Sequence, residues 1–118
     1  MDRSILKTSM LITIPLVVGK LLDIYSTELG LSLGFSETNP VMAGMMMLYG
    51  RYNAYTISLF SFVFIGFATS LIWSSIKKIE IDPELRLVVK AFFLCMYALT
   101  VFTTIHPFLC NITVIINA

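Results

Sequence analysis

The stretch AYTISLFSFVFIGFATSLIWSSI, residues 54–76, decides the fold class. It contains no charged residue. A helix of this length, at a rise of 1.5 Å per residue, is about 35 Å long and crosses a hydrocarbon core of roughly 30 Å. Tyr52 and Tyr55 lie at one end and Trp73 lies near the other, where aromatic rings prefer the level of the lipid headgroups. The stretch is therefore predicted to be a transmembrane helix.

The composition of the whole chain also indicates a lipid environment. Of the 118 residues, 58% are hydrophobic and 13% are charged, whereas about 25% are charged in soluble domains. A soluble chain of this size buries too small a fraction of its surface to hide so much apolar area. The net charge of +1 gives no basic footprint, so we expect the lipid bilayer as a partner and no nucleic acid.

A later span is predicted over about residues 84–106. Asp82 is suited to cap the start of this helix, with Pro83 as its first residue. Pro107 lacks a backbone donor and crowds the preceding turn, so we expect a kink there and a last turn or two beyond it.

The first span, over about residues 6–34, is unusual because Lys20, Asp23 and Glu28 interrupt its apolar sequence. A secretory signal peptide is the competing interpretation, since basic residues precede an apolar run. We reject it because no small-x-small cleavage site follows Gly19 and apolar sequence resumes after the charges.

A short helix is predicted over residues 40–49. Asn39 is suited to be its N-cap, Pro40 its first residue and Gly50 the residue past its end. About ten residues are too few to span a bilayer, so this helix should be interfacial or re-entrant. We therefore expect an all-α integral membrane bundle of three transmembrane helices plus this short helix, in a single domain covering residues 1–118.

The basic residues predict the orientation of the bundle. The N-terminal flank and the loop between the second and third spans carry most of them: Arg3, Lys7, Lys77, Lys78 and Arg86. The other loop has only Arg51, and the C-terminal end has none. Under the positive-inside rule, the N-terminus of this multi-pass cell-membrane protein is expected in the cytoplasm and the C-terminus outside.

Polar and small residues form one face of the first span. They follow alternating steps of three and four: Thr13, Leu16, Lys20, Asp23, Thr27, Gly30, Gly34 and Glu37. Because charges in lipid point into a bundle or a wet cavity, this face should look at protein. Lys20 and Asp23 are spaced to pair, and Thr27 can donate to the carboxylate of Asp23. The group is either a structural ion pair that fixes helix register or an ion, proton or catalytic site.

Small residues on the first two spans predict their packing. Ser26, Gly30 and Gly34 form a small-xxx-small run that allows close approach of another helix. The same spacing occurs on the second span in Gly66, Ser70 and Ser74, which are the expected partners. Glu28 lies off the polar face, so it needs another partner, on a different chain for example, or it is protonated.

Two motifs resemble a family of small, uncharacterised prokaryotic integral membrane proteins. They are Asp23-x-x-Ser26-Thr27, followed by Gly34, and Glu37-x-Asn39-Pro40. The resemblance covers about a quarter of the chain, and Lys20 and Glu28 are not part of it. It implies that Asp23, Thr27, Glu37 and Asn39 act together, but it implies no activity.

Soft metal donors cluster near the same predicted membrane face. Four methionines crowd the short helix (Met42, Met45, Met46 and Met47), and His106 and Cys110 are one helical turn apart. Met42, Met46, His106 and Cys110 could hold Cu(I), although methionines also serve as adaptable packing. Asp23, Glu28, Glu37 and His106 could instead hold a metal that activates water, but no HExxH motif is present.

These features favour a non-catalytic membrane subunit, either homo-oligomeric or an accessory chain of a larger membrane complex. Three helices have too little surface to enclose a substrate path, so other membrane chains, the same or different, are expected as partners. A small ion- or proton-coupled transporter using Asp23 and Glu28 is one alternative. A metal-dependent protein, including a copper-handling one, is the other. No residue is assigned a catalytic role, and the sequence indicates no cofactor.

Overall fold

The computed structural model describes residues 3–118, apart from the side chain of Ser4. This part of the chain forms four helices and no strand: α1 (Arg3–Ser32), α2 (Pro40–Tyr49), α3 (Arg51–Lys78) and α4 (Pro83–Ile116). Three of them, α1, α3 and α4, are long and apolar enough to cross a membrane. The predicted all-α fold of three spanning helices and one short apolar helix is confirmed, and the chain has the architecture of a multi-pass membrane protein.

The predicted caps determine where α2 begins and ends. The side-chain oxygen of Asn39 accepts hydrogen bonds from the backbone N–H groups of Val41, at 3.0 Å, and Met42, at 3.4 Å. Pro40 is the first helical residue, where its missing N–H costs no hydrogen bond. Gly50 separates α2 from α3 with a φ of 87°, a left-handed conformation that favours glycine.

The last helix runs through Pro107 without a break. Asp82 caps it as expected, since its carboxylate accepts from the backbone N–H of Glu84 at 3.1 Å. Beyond that point α4 continues through Pro107 as far as Ile116, so the turns expected beyond the span of about residues 84–106 belong to the same helix. A proline removes only one donor, and apolar residues after it keep the segment suited to the same helix.

The first helix begins and ends slightly earlier than predicted. It ends at Ser32, so the predicted end at residue 34 is wrong by two residues. Gly34 has a φ of 93° and its backbone N–H donates to the carbonyl of Leu31 at 3.1 Å. This glycine forms the turn out of α1 and does not contribute to the face that packs on another helix.

The three long helices are arranged around α1. Both α3 and α4 pack extensively against it, whereas α3 and α4 contact each other only slightly, and α2 packs on α3. The rings of Trp73 and Phe93, whose centroids are 5.0 Å apart, link α3 to α4. The hydroxyl of Tyr97 on α4 donates to the backbone carbonyl of Ile12 at 2.7 Å, in the turn of α1 that Pro15 interrupts.

The polar face of α1 lies against protein, as predicted. Leu16 is fully buried and Lys20 retains 7% of its exposure. The partners of the small residues differ from the prediction, however. A Cβ atom at Gly66 would lie 2.9 Å from Cβ of Thr13, and the nearest neighbour of Gly30 is Ile115 of α4, at 4.0 Å from a Cβ placed there.

The antiparallel course of α3 explains this difference. Because α3 starts beside the end of α1, Gly66 and Ser70 reach the level of the first half of α1, far from Ser26 and Gly30. Both Gly66 and Ser70 are buried at that level, and the hydroxyl of Ser70 donates to the carbonyl of Gly66 at 2.7 Å. Ser74, one turn further, is only half-buried. Small residues therefore do pack between α1 and α3, but at another depth.

Candidate functional site

The charged pair in α1 forms as its spacing predicts. Nζ of Lys20 lies 2.9 Å from Oδ2 of Asp23, and the two side chains retain 9% and 13% of their exposure. The hydroxyl of Thr27 donates to Oδ1 of Asp23 at 3.4 Å. Nζ of Lys20 also lies 5.5 Å from the ring centroid of Phe62 on α3. An ammonium over a ring face is stabilised by the ring quadrupole, so both charges are compensated inside the bundle.

Asn111 extends this network from α1 to α4. Its side-chain amide donates to the hydroxyl oxygen of Ser26 at 3.0 Å and to that of Thr27 at 3.2 Å. The hydroxyl of Ser26 in turn donates to the backbone carbonyl of Asp23 at 3.0 Å. Asn111 is not among the site residues that the sequence predicts. The only available signal was a polar side chain in an otherwise apolar stretch, which does not reveal its partner.

Glu28 has its partners within the same chain, on α3. Its carboxylate lies 3.1 Å from a guanidinium nitrogen of Arg51 and accepts from the hydroxyls of Tyr55, at 2.9 Å, and Tyr52, at 3.4 Å. A partner on a different chain is therefore not needed to compensate it. Glu28 pairs with residues of α3, whereas Asp23 pairs with Lys20 within α1, so the structure separates two carboxylates that the transporter hypothesis had grouped.

The Glu-x-Asn-Pro motif builds the turn that leads into α2. The backbone N–H of Asn39 donates to Oε1 of Glu37 at 2.9 Å, and Asn39 itself caps the helix. A carboxylate near the start of a helix is stabilised by the exposed N–H groups there. One carboxylate oxygen of Glu37 thus stabilises the connection between α1 and α2.

A polar cavity of about 240 Å³ lies where these elements meet. Its lining comes from α1, the connecting segment, α2 and α4: Asp23, Thr27, Glu37, Thr38, Asn39, Met42, His106, Pro107, Cys110 and Asn111. An adjoining cavity of about 200 Å³ shares Thr27, Glu37, Thr38 and Asn111 with it. All four residues that the motif resemblance groups, Asp23, Thr27, Glu37 and Asn39, line the larger cavity.

The soft donors reach the same cavity in part. Sγ of Cys110 lies 3.6 Å from Nε2 and 3.8 Å from Nδ1 of His106, and Met42 joins them in the lining. Met46 does not line this cavity and packs instead against the small cluster around Ala54. Within residues 3–118, no three His, Cys, Asp or Glu side chains come close enough to hold a metal ion by themselves.

No protein-family model, no curated protein and no solved structure matches this chain. The cavity presents hydroxyls, two amides, an imidazole, a thiol and a thioether, together with two carboxylates. Both carboxylates are already engaged, Asp23 by Lys20 and Glu37 by the backbone of Asn39.

Proposed function

We propose that this chain is a non-catalytic integral membrane subunit, either homo-oligomeric or an accessory chain of a larger membrane complex. One observation carries this proposal: the three charges that interrupt the first span are all compensated within the chain. Lys20 pairs with Asp23, and Glu28 pairs with Arg51. Charges that are already paired within the chain are not free for a reaction, which favours a structural role.

The arrangement of the helices supports assembly with other chains. Among the three long helices only α1 packs extensively against the two others, and α4 has a single extensive contact along its 34 residues. Ala91, Cys95 and Ala98 are exposed on α4. Small side chains on an open helix surface let another membrane helix approach closely, where van der Waals packing holds it. The subunit therefore offers lateral surface that its own helices do not use.

The motif resemblance belongs to this proposal as well. Membership of the chain in that family of small prokaryotic membrane proteins would make the cavity residues a common feature of the family. The feature common to the family members would then be the cavity between α1, α2 and α4. Asp23, Thr27, Glu37 and Asn39 line this cavity.

Native mass spectrometry of the detergent-extracted protein tests the proposal. We expect a complex that contains at least two copies of this chain, or one copy with another membrane chain in fixed ratio. The Cys95→Leu variant should weaken that assembly if the open side of α4 is used, whereas Leu109→Ala serves as an exposed control on the same helix. A protein that is monomeric across detergents and lipid nanodiscs would contradict the proposal.

A small ion- or proton-coupled transporter is the second candidate. It is favoured by the position of Asp23, which lines the cavity and is linked through Thr27 to Asn111. Purified protein in proteoliposomes should then carry a proton- or cation-linked flux that Asp23→Asn abolishes. Glu28→Gln is the matched control, because Glu28 lies outside the lining. The absence of any such flux in the parent protein would leave the subunit role as the better account.

A further inference from the structure

The polar cavity and the adjoining cavity differ in their linings. The polar cavity is lined mainly by polar side chains, whereas the adjoining one has four large apolar side chains as well. These four are Leu31, Phe35, Val114 and Ile115. Because several residues line both cavities, the two spaces lie side by side. A molecule that fills both would need a polar end and an apolar end.

Both cavities lie at the level of the lipid headgroups. Thr27, which lines both, is next to Glu28 in α1. Glu28 in turn contacts Arg51 and the hydroxyl of Tyr52 at the start of α3. Tyrosine rings near the end of a span prefer the interface between hydrocarbon and water. Membrane lipids are the amphiphiles that are present at that depth.

Glu37 gives the cavities a negative charge that the chain leaves unpaired. The charge of Asp23 is compensated by Lys20, but within residues 3–118 no basic side chain lies within ion-pairing distance of Glu37. Oε1 of Glu37 accepts from the backbone N–H of Asn39 at 2.9 Å, whereas Oε2 accepts no hydrogen bond from this part of the chain. A cationic group that enters the cavities is therefore attracted to Glu37.

Asn111 provides a second free acceptor beside both cavities. Its amide nitrogen donates to Ser26 and Thr27, whereas its Oδ1 accepts no hydrogen bond within residues 3–118. A primary ammonium group has three N–H donors and no acceptor, so it suits such a site. A quaternary ammonium group has no N–H donor and is bound by several aromatic rings instead. Among the described residues, Phe35 is the only Phe, Tyr or Trp that lines either cavity.

We infer that the two cavities bind a phospholipid with a primary ammonium headgroup, such as phosphatidylethanolamine. The ammonium group lies between the carboxylate of Glu37 and the amide oxygen of Asn111. Ser36 and Thr38 line the adjoining cavity and are exposed, so their hydroxyls can donate to the phosphate on the side of the water. An acyl chain packs against the four apolar side chains of the adjoining cavity.

Native mass spectrometry of the detergent-purified full-length protein, titrated with phospholipids, tests this inference. The lipids are dioleoylphosphatidylethanolamine and its N-methyl, N,N-dimethyl and N,N,N-trimethyl derivatives. All four keep the positive charge and the acyl chains, but each methyl group removes one N–H donor. We expect one tightly bound phosphatidylethanolamine per chain and an affinity that falls along the series, to at least about tenfold weaker for the trimethyl lipid. The same affinity for all four lipids would overturn the inference.

Two matched variants test the position of the ammonium group. Glu37→Gln removes the charge but keeps an oxygen that can accept from Asn39, so it should weaken phosphatidylethanolamine binding at least about tenfold. Glu80→Gln makes the same change of charge in the exposed loop between α3 and α4 and should leave binding unchanged. Equal effects of the two variants would overturn the inference. If Glu37→Gln does not fold, the methylation series on the parent protein decides.

Free ethanolamine tests whether the ligand is a lipid. It carries the same ammonium group without a phosphate or an acyl chain, so its affinity should be at least about a hundredfold weaker than that of the lipid, given the apolar surface that the chain buries. Binding of free ethanolamine as tight as that of the lipid would overturn the inference. Lipid is counted per chain in every oligomeric state, so failure of this test and failure of the proposed subunit role are distinguishable.

Discussion

The side-chain amide of Asn111 lies 3.2 Å from the hydroxyl oxygen of Thr27 and donates a hydrogen bond to it across the interface between α1 and α4. A second hydrogen bond from the same amide reaches Ser26 at 3.0 Å. Both acceptors belong to the Asp-x-x-Ser-Thr motif, so one residue of α4 fixes the position of that motif. The wall of the cavity therefore depends on a contact between residues that are far apart in sequence.

Replacement of Asn111 by leucine should loosen this interface. Two interhelical hydrogen bonds are lost, each worth about 0.6 kcal/mol on average between membrane helices, so the free energy of unfolding should fall by about 1–2 kcal/mol. Denaturant titration in mixed micelles measures the change. Asn117→Leu, at the exposed end of α4, is the control and should leave stability unchanged. Equal stability of the two variants would show that the amide contacts are energetically neutral.

Double replacement of Lys20 and Asp23 should destabilise the protein less than either single replacement. Either Lys20→Leu or Asp23→Leu leaves one charge uncompensated inside the bundle and should cost about 3 kcal/mol or more, whereas the double leucine variant should recover much of that loss. Thermal melting in detergent of the parent protein, the two single variants and the double variant gives the four stabilities of a double-mutant cycle. If both single variants melt like the parent protein, the two side chains do not depend on each other. A stable double variant that has lost a membrane phenotype would instead identify the pair as functional.

The two tyrosines that contact Glu28 should contribute unequally to stability. The hydroxyl of Tyr55 donates to the carboxylate at 2.9 Å and its side chain is buried, so Tyr55→Phe should lower the free energy of unfolding by about 1 kcal/mol. Tyr52 is 66% exposed and its hydroxyl is 3.4 Å from the same carboxylate. The free energy of unfolding of Tyr52→Phe should therefore lie within about 0.5 kcal/mol of that of the parent protein. The reverse order in a melting series would contradict the geometry around Glu28.

Replacing a glycine by alanine should destabilise the bundle only where another helix lies close to that glycine. A Cβ at Gly19 would lie 2.9 Å from Cβ of Thr104, so Gly19→Ala should destabilise the bundle by about 2 kcal/mol through overpacking, despite the better helix propensity of alanine. Gly66→Ala should behave similarly against Thr13. Gly44 has open space around it, and Gly44→Ala should stabilise the protein by up to about 1 kcal/mol. Thermal melting that ranks Gly44→Ala with the other two would refute these helix contacts.

The orientation of the bundle can be tested by labelling. In a background with Cys95→Ser and Cys110→Ser, an Arg51→Cys variant should react with an impermeant thiol reagent added outside intact cells. A Lys78→Cys variant should react only after the membrane is permeabilised. The physical reason is the excess of basic residues on the side that carries Lys78. The opposite labelling pattern would reverse the predicted orientation.

The helices and their starts could be predicted from the sequence because they depend on local chemistry. Apolar runs give the spans, and Asn39 and Asp82 cap the helices that follow them. The Lys20–Asp23 pair is equally local, since one helical turn brings the two side chains together. Each of these features requires only the regular geometry of a helix and a short stretch of chain.

The features that the sequence did not reveal depend on the depth at which one helix lies against another. The small residues of α3 meet Thr13, and not Gly30, because an antiparallel helix starts beside the end of α1. Asn111 likewise reaches Ser26 only through the packing of α4 on α1. Hydropathy and small-residue spacing are almost the same at every depth of a span, so they do not determine such pairings.

The location of the Lys20–Asp23 pair within one helix has a consequence for the order in which the protein enters the membrane. Both partners are present as soon as α1 has formed, before α3 and α4 have left the ribosome. The first helix can thus move into lipid with its two central charges already joined. Glu28 must await Arg51, which arrives with the next span, but it lies one turn from the end of α1, where water is close. The carboxylate whose partner is synthesised later is therefore the one that lies nearest to water while it is unpaired.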